Sequence, residues 1–396
     1  MKATICVLAT AVALATATPG WNLVAENLLT TELGIGFHSE TEGFIAGDAN
    51  GEGPAILKST DGGKTWNASQ ADFGADALLL ALGVADDTVI VTSIFGELYS
   101  NDDGDTFERG LGGGLSQSVR YLGKDGDGGS KFGCAGQYRG HQGIALTTDG
   151  GKLWKPVFAD KLFTAARYAA FPSDSVWYIA AGEWPESASD DQPASNDDMP
   201  TRSPRLRRSD FQDADGYFPS TFSFRETRRV EADNGYKAQI VKSTDGGKTW
   251  VTQFAQNGTF YFNGIDCTSE DHCCAVGESS DPPFLGAGIW CTQDGTNWNR
   301  TFYAPYQSDP TVGFSLLDIR WASETVGWAI GGELNSLAPK AWFVKTTDGG
   351  KTWDPLSHQI FGYYAMGLDV VNENVAYAAV DNLLTQTSGV AKFTSQ

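Results

Sequence analysis

Cations, histidine and long apolar runs are scarce in this chain, and each scarcity closes off a class of function. Lysine and arginine number 28 against 49 aspartates and glutamates, a net charge of −21 over 396 residues. Nucleic acid and anionic membrane are poor partners for such a surface, because phosphates are held by clustered cations. The four histidines (His38, His141, His272, His358) are scattered. No metal-ligand spacing emerges from them, so neither a metal nor a cofactor is expected. A Gly-x-Ser-x-Gly nucleophile elbow is missing too. Beyond residue 17 no run approaches the ~18 apolar residues of a membrane-spanning helix. Nothing long enough carries a 3.6-residue apolar period, which argues against helices.

What is present starts with a leader. Lys2, the apolar run Ile5–Ala15 and the small-x-small site Ala15-Thr16-Ala17 read as a secretory signal peptide over residues 1–17. The expected destination is secreted and extracellular. Cys6 leaves with the leader, and five cysteines remain: Cys134, Cys267, Cys273, Cys274 and Cys291. An oxidising compartment permits two bridges among the last four. Cys267–Cys273 across a hairpin and Cys274–Cys291 between neighbouring strands is the pairing we expect, though sequence leaves the others open. Adjacent Cys273-Cys274 is poor zinc-ligand geometry. Acceptor sequons stand at Asn67, Asn257 and Asn299.

One phrase recurs along the chain: Ser59–Trp66 (STDGGKTW), Ser100–Phe107, Thr147–Trp154, Ser243–Trp250 and Thr346–Trp353, with a copy one residue short at Thr292–Trp298. Its form is [Ser/Thr]-x-Asp-x-Gly-x-x-[Trp/Phe]. The hydroxyl and carboxylate bind backbone amides in a tight loop, glycine supplies positive φ, and the aromatic anchors the loop. The phrase resembles the Asp-box (BNR) repeat of sialidase-type β-propellers, where the box is a folding device placed away from the ligand. Its aspartates are Asp61, Asp102, Asp149, Asp245, Asp294 and Asp348, separated by 41, 47, 96, 49 and 54 residues. That is the period of four-stranded propeller blades. The 96-residue gap holds one set of strands and a polar, Arg-rich insertion at 185–236. A seventh repeat without a box follows the last copy (Met366–Val371, Val375–Val380, Val390–Thr394). It lacks a fourth strand, which Trp21–Thr30 can supply. We therefore expect an all-β, seven-bladed β-propeller over residues 18–396, its ring closed by the N-terminal strand.

In the layout the resemblance implies, loops joining second and third strands share the ligand face with the entries to the first strands. Two sets of residues are expected there. Acidic residues end the second strands (Asp48, Glu183 and Glu278, with Glu333 and Asp381 close to the same register). Charges on the first strands (Arg120, Arg167, Asp266, Arg320, Asp369) form a polar socket for a peptide or a sugar. Within the insertion, Arg205-Leu206-Arg207-Arg208 resembles the recognition site of secretory processing proteases.

Sialidase chemistry needs an arginine trio, a tyrosine–glutamate pair and an aspartic acid/base. No Arg-Ile-Pro segment announces the first clamp arginine, and nothing in the spacing selects Arg120, Arg167 and Arg320 as the trio. Endo-glucanases built from Asp-box propellers usually join two propellers around a cleft, and this chain holds one. A closer resemblance is to single-propeller photosystem II stability and assembly factors, which share Gly327–Gly331 (GWAIG) and Lys345–Trp353 (KTTDGGKTW). That resemblance implies a non-catalytic module that binds a polypeptide. The leader, sequons and paired cysteines depart from a plastid protein. The expectation is a secreted propeller binding a protein or glycan ligand, with a glycosidase or a photosystem II factor-like protein as the alternatives.

Overall fold

A computed structural model describes residues 20–49, 53–71, 73, 78–183, 235–279, 286–305, 313–334, 339–354 and 359–395. The leader, most of the 185–236 insertion with Arg205, Arg207 and Arg208, and His358 lie outside the described residues. Among the described residues every regular element is a strand, and the strands form seven sheets. The first, innermost strands are Thr31–Phe37, Leu79–Ala85, Leu115–Lys124, Ala166–Ala170, Tyr261–Cys267, Gly313–Trp321 and Tyr363–Asn372, which number blades 1 to 7. Each is followed outward by a second, third and fourth antiparallel strand. Blade 2 adds a two-residue strand, Gln70–Ala71, parallel to its fourth strand Thr106–Arg109. The chain is a seven-bladed β-propeller.

Second strands sit inside each blade and are buried on both faces, as in Thr88–Ser93 and Trp177–Gly182. They are accordingly built from apolar and small hydroxyl side chains, whereas the outermost strands are partly exposed to water. The core lies between blades. In one cluster Trp328 and Phe343 of blade 6 meet Leu368, Val380 and Phe393 of blade 7. Trp21 joins them from the N-terminal strand, stacked on Phe343 at 4.1 Å.

That N-terminal strand, Gly20–Glu26, pairs with Thr387–Thr394 as the fourth strand of blade 7, with Trp21 opposite Phe393. The seam it leaves between blades 7 and 1 is built like an interior junction. Tyr377 Oη and Lys392 Nζ both donate to the Glu40 carbonyl, at 2.6 and 3.2 Å. Between blades 4 and 5, Tyr178 and Lys242 do the same to the Glu270 carbonyl, at 2.6 and 3.2 Å.

The repeated loops join third and fourth strands. In the first, the Ser59 hydroxyl donates to Asp61 Oδ1 and accepts the Gly63 amide at 2.9 Å. Asp61 Oδ1 also accepts the amides of Lys64 and Thr65, and Oδ2 the Thr65 hydroxyl. Gly62 and Gly63 both hold φ near +80° (78° and 84°), which only glycine adopts without strain. The Thr65 hydroxyl, followed by the backbone donors, depresses Asp61 to about 2, and the same kind of loop bonding does so for Asp102 and Asp245. Asp294 and Asp348 are also lowered, led by side-chain bonds from Asn297 and Thr352. Asp149 keeps the Leu153 amide but has no hydroxyl at that position to match Thr65. Each loop is stitched to the turn between first and second strands, as in Gly62 N to Thr41 O at 2.8 Å and Gly349 N to Thr325 O at 3.0 Å. Loops and turns thereby share one face of the wheel, called the box face below.

Cys267 pairs with Cys273 and Cys274 with Cys291, the arrangement expected from their spacing. Cys274 and Cys291 lie directly opposite on adjacent strands. Cys134 is a buried free thiol. Asn67, Asn257 and Asn299 are exposed on fourth strands of blades 1, 4 and 5.

Candidate functional site

Each first strand starts at the face bearing the loops between second and third strands and runs towards the box face. A residue's place along it therefore decides which mouth of the channel it serves. Arg120 lies opposite Gly133, Asp266 opposite Cys274, Arg320 opposite Trp328 and Asp369 opposite Tyr377. These partners stand in the early part of the second strands, so all four residues occupy the box-face half of the channel. The sequence expectation puts them at the other mouth, and strand pairing places them at this one instead.

Their contacts are largely structural. Asp266 Oδ2 accepts the amide of Trp321 at 2.9 Å, Asp369 Oδ2 that of Phe37 at 2.6 Å and Asp318 Oδ2 that of Leu368 at 3.2 Å. Each aspartate thus ties its own first strand to the next blade's. Arg320 pairs with Asp318, and Arg120 Nη2 lies 3.9 Å from the same carboxylate. Burial raises Asp266 and Asp369, with the two arginines opposing it. Burial and the nearby Arg320 bring Arg120 down to about 10. Asp318 joins both arginines but was not among the sequence candidates. Its only signal was Asp-x-Arg near the end of a first strand.

The other mouth is organised by a feature the sequence did not betray. All seven first strands carry a β-bulge near their start, where Leu33, Leu80, Gln117, Arg167, Asn263, Leu317 and Met366 drop out of register. A bulge re-aims the side chains around it. Arg167 Nε donates to Gln117 Oε1 at 3.0 Å, linking the bulges of blades 3 and 4. Its guanidinium lies 5.0 Å from the Tyr261 ring and 5.5 Å from that of Tyr168. The Tyr261 hydroxyl donates to the Glu278 carboxylate, and Tyr236 stacks on the Tyr261 ring. Arg167, Tyr236, Tyr261 and Glu278 are all buried.

The acids ending the second strands do reach this mouth. Glu183 pairs with Lys237 at 3.0 Å and Glu333 with Lys340 at 3.5 Å, each directly across the sheet. Asp48 is half-buried, and its carbonyl accepts the Thr30 amide. Asp381 is buried and accepts the Glu32 amide at 3.1 Å. The Glu32 carboxyl is itself wholly buried beside Asp381. Burial holds both acids well above the ordinary range. Glu97 is equally enclosed, accepting Gly114 N at 3.3 Å and the Ser116 hydroxyl, which also meets Tyr138 Oη. Burial pushes it up to about 7. Instead of an open acidic rim, most of these carboxyls are committed to cross-strand pairs or buried amides.

Four of the nine large exposed apolar side chains among the described residues lie towards the same face. Phe95 (50% exposed) and Leu384 (61%) sit in loops between second and third strands. Phe163 (46%) lies in the approach to blade 4, and Phe361 (68%) ends a fourth strand. A bond from Leu383 N to Gly362 O at 3.2 Å sets Phe361 and Leu384 side by side in the chain path. On the box face, His38, Glu42 and Asp103 approach one another. Lys58 Nζ stands among them, 2.6 Å from Asp103 and 3.4 Å from Glu42, and supplies the cation there.

No protein family and no curated protein matches the chain. Among solved structures it is similar to YCF48 bound to D1 peptide, at 12% identity over 96% of this chain and 97% of that one, TM-score 0.58. It is also similar to U3-55K, at 10% identity over 95% and 100%, TM-score 0.57. A third is a polysaccharide lyase of family PL25, an ulvan lyase bound to -[GlcA(1-4)Rha3S]-, at 8% identity over 94% and 96%, TM-score 0.55. Likeness at such identities is a likeness of fold. No helix among the described residues is long and apolar enough to cross a membrane.

Proposed function

We propose that this protein is a secreted, non-catalytic Asp-box propeller that binds a polypeptide at the face bearing the loops between second and third strands. One observation carries the reading: Phe95, Phe163, Phe361 and Leu384 are exposed on that face, while the box-face half of the channel is filled by the network of Arg120, Arg320, Asp266, Asp318 and Asp369. Large apolar side chains left exposed on one face favour a protein partner there. The D1 peptide belongs to YCF48 and enters only as a precedent for this fold. Secretion rests on the leader at 1–17, the two disulfides and the exposed sequon asparagines, which we propose carry glycans.

A glycosidase is the second reading, favoured by the Tyr261–Glu278 pair beside Arg167. It is weakened by the burial of all three residues and by the position of Arg120 and Arg320 in the other half of the channel. A peptide-display screen of the purified protein, repeated with Phe95→Ser and Leu384→Ser, separates the readings. The binding module predicts selected peptides whose capture falls about tenfold or more in the variants. Turnover of a fluorogenic sialoside that is lost in Glu278→Gln would replace it with the enzyme.

A further inference from the structure

A cavity of about 230 Å³ opens at the rim of the wheel between blades 4 and 5, remote from the channel. It exists because the third strand of blade 5 reads Gly286-Ala287-Gly288-Ile289-Trp290, with glycines at two successive positions of the side facing blade 4. At the corresponding positions blade 4 carries Lys237 and Gln239, and blade 6 carries Lys340 and Trp342. Side chains of that size fill the gap. A Cβ on Gly288 would fall 2.7 Å from the Trp290 indole, so the glycine also lets that ring fold down onto the strand. Phe260 stacks on the other side of the indole at 4.1 Å and 10°. The result is a small trough with aromatic walls.

Its polar groups converge from the fourth strands. Arg300 is exposed and lies with its guanidinium 4.4 Å from the Tyr303 ring centre. Among the described residues no carboxylate pairs with it, in a chain whose acids outnumber its bases 49 to 28. Gln256 Nε2 donates to Thr259 Oγ1 at 2.6 Å, while its amide oxygen has no donor among the described residues. Guanidinium selects carboxylate through two parallel hydrogen bonds. An amide acceptor selects a hydroxyl, and aromatic walls take the C–H face of a saturated ring. The volume is below the ~300–1,000 Å³ of pockets for drug-sized ligands, and suits one ring.

We propose that this rim cavity binds a single carboxylate-bearing sugar ring, a hexuronate, with Arg300 on the carboxylate, Gln256 on a hydroxyl and Tyr303 and Phe260 against the ring. The cavity lies at the outer rim of blades 4 and 5, on the loop-face side and away from the first strands, and the proposal does not rest on the function proposed above. The test uses the purified full chain with methyl glucuronide, methyl glucoside and benzoate, followed by saturation-transfer NMR and by tryptophan fluorescence. Methyl glucuronide binds with a Kd of about 1 mM, and methyl glucoside about tenfold more weakly. Arg300→Gln, a surface change whose fold is checked by circular dichroism, weakens the glucuronide about tenfold and leaves the glucoside unchanged. Arg300→Lys restores part of the loss. Three results overturn the proposal: no glucuronide signal at about 10 mM, equal affinity for the two glycosides, or benzoate binding as well as the glucuronide.

Discussion

Glu97→Gln should flatten part of the pH dependence of this protein's stability. Glu97 is wholly enclosed at the junction of blades 2 and 3, where its carboxylate meets Gly114 N and the Ser116 hydroxyl. The charged and titratable groups acting on it or on its neighbours are Arg109, Arg120, Cys134 and Tyr138. Burial outweighs the hydrogen bonds and Arg109, and lifts the carboxyl from 4.5 to about 7. In acid below the ordinary glutamate range, folded and unfolded chains both carry the proton, and the residue contributes no slope. As pH rises from about 4.5 to about 7 the unfolded chain has released the proton and the folded chain has not, so stability falls. At about 1.4 kcal/mol for each tenfold change in proton affinity, the fall is about 3 kcal/mol and is complete above about pH 7. Urea unfolding, read from tryptophan fluorescence at constant ionic strength, should show the wild type losing that much more than Glu97→Gln between about pH 4 and about pH 8. The substitution itself costs about 1 kcal/mol at every pH through a poorer match to Ser116, and the comparison across pH removes that constant. Equal losses in the two proteins would show that Glu97 is ionised in the fold, and the account of its burial would be wrong.

Other perturbations have equally definite outcomes. Trp21→Ala removes the ring that joins the N-terminal strand to the core between blades 6 and 7. It should cost about 3–5 kcal/mol, seen as a lower urea midpoint and faster amide exchange in residues 20–26 and 387–394. Ser59→Ala leaves the Gly63 amide without its acceptor in a buried loop and should cost about 1–2 kcal/mol by the same unfolding assay. Reducing Cys274–Cys291, which closes a separation of 17 residues, should destabilise the chain by about 3 kcal/mol, read as a drop in Tm with a phosphine reductant. The loop aspartates set the acid limit. Asp61, Asp102 and Asp245, depressed to about 2, contribute stability that is present above the ordinary carboxylate range and lost as pH falls towards 2. Glu32, Asp266, Asp369 and Asp381, raised by burial, act with Glu97 in the opposite direction. Stability should therefore peak at about pH 4–5, and a midpoint that climbs steadily to neutrality would contradict these assignments.

Amino-acid order alone determined the strand content, the repeat period and the closure of the ring by the N-terminal strand. The first two follow from alternation, turn chemistry and aromatic anchoring, which act locally and recur often enough to be read, and the closure follows from counting a last repeat short of its fourth strand. The disulfide pairing is the one expected among those the sequence left open, with Cys267 and Cys273 flanking one turn and Cys274 and Cys291 on adjacent strands. Tertiary structure decided which mouth each charged residue serves. The place along the first strand sets the mouth, and pairing with the second strand fixes that place: Arg320 stands opposite Trp328, near the box face, whereas Arg167 stands at the bulge near the other end. It also decided that Glu32 and Glu97 are enclosed by a neighbouring blade. No local pattern announces that enclosure, because the atoms that shut out water from Glu32 come from residues such as Asp381, 349 positions away in the chain.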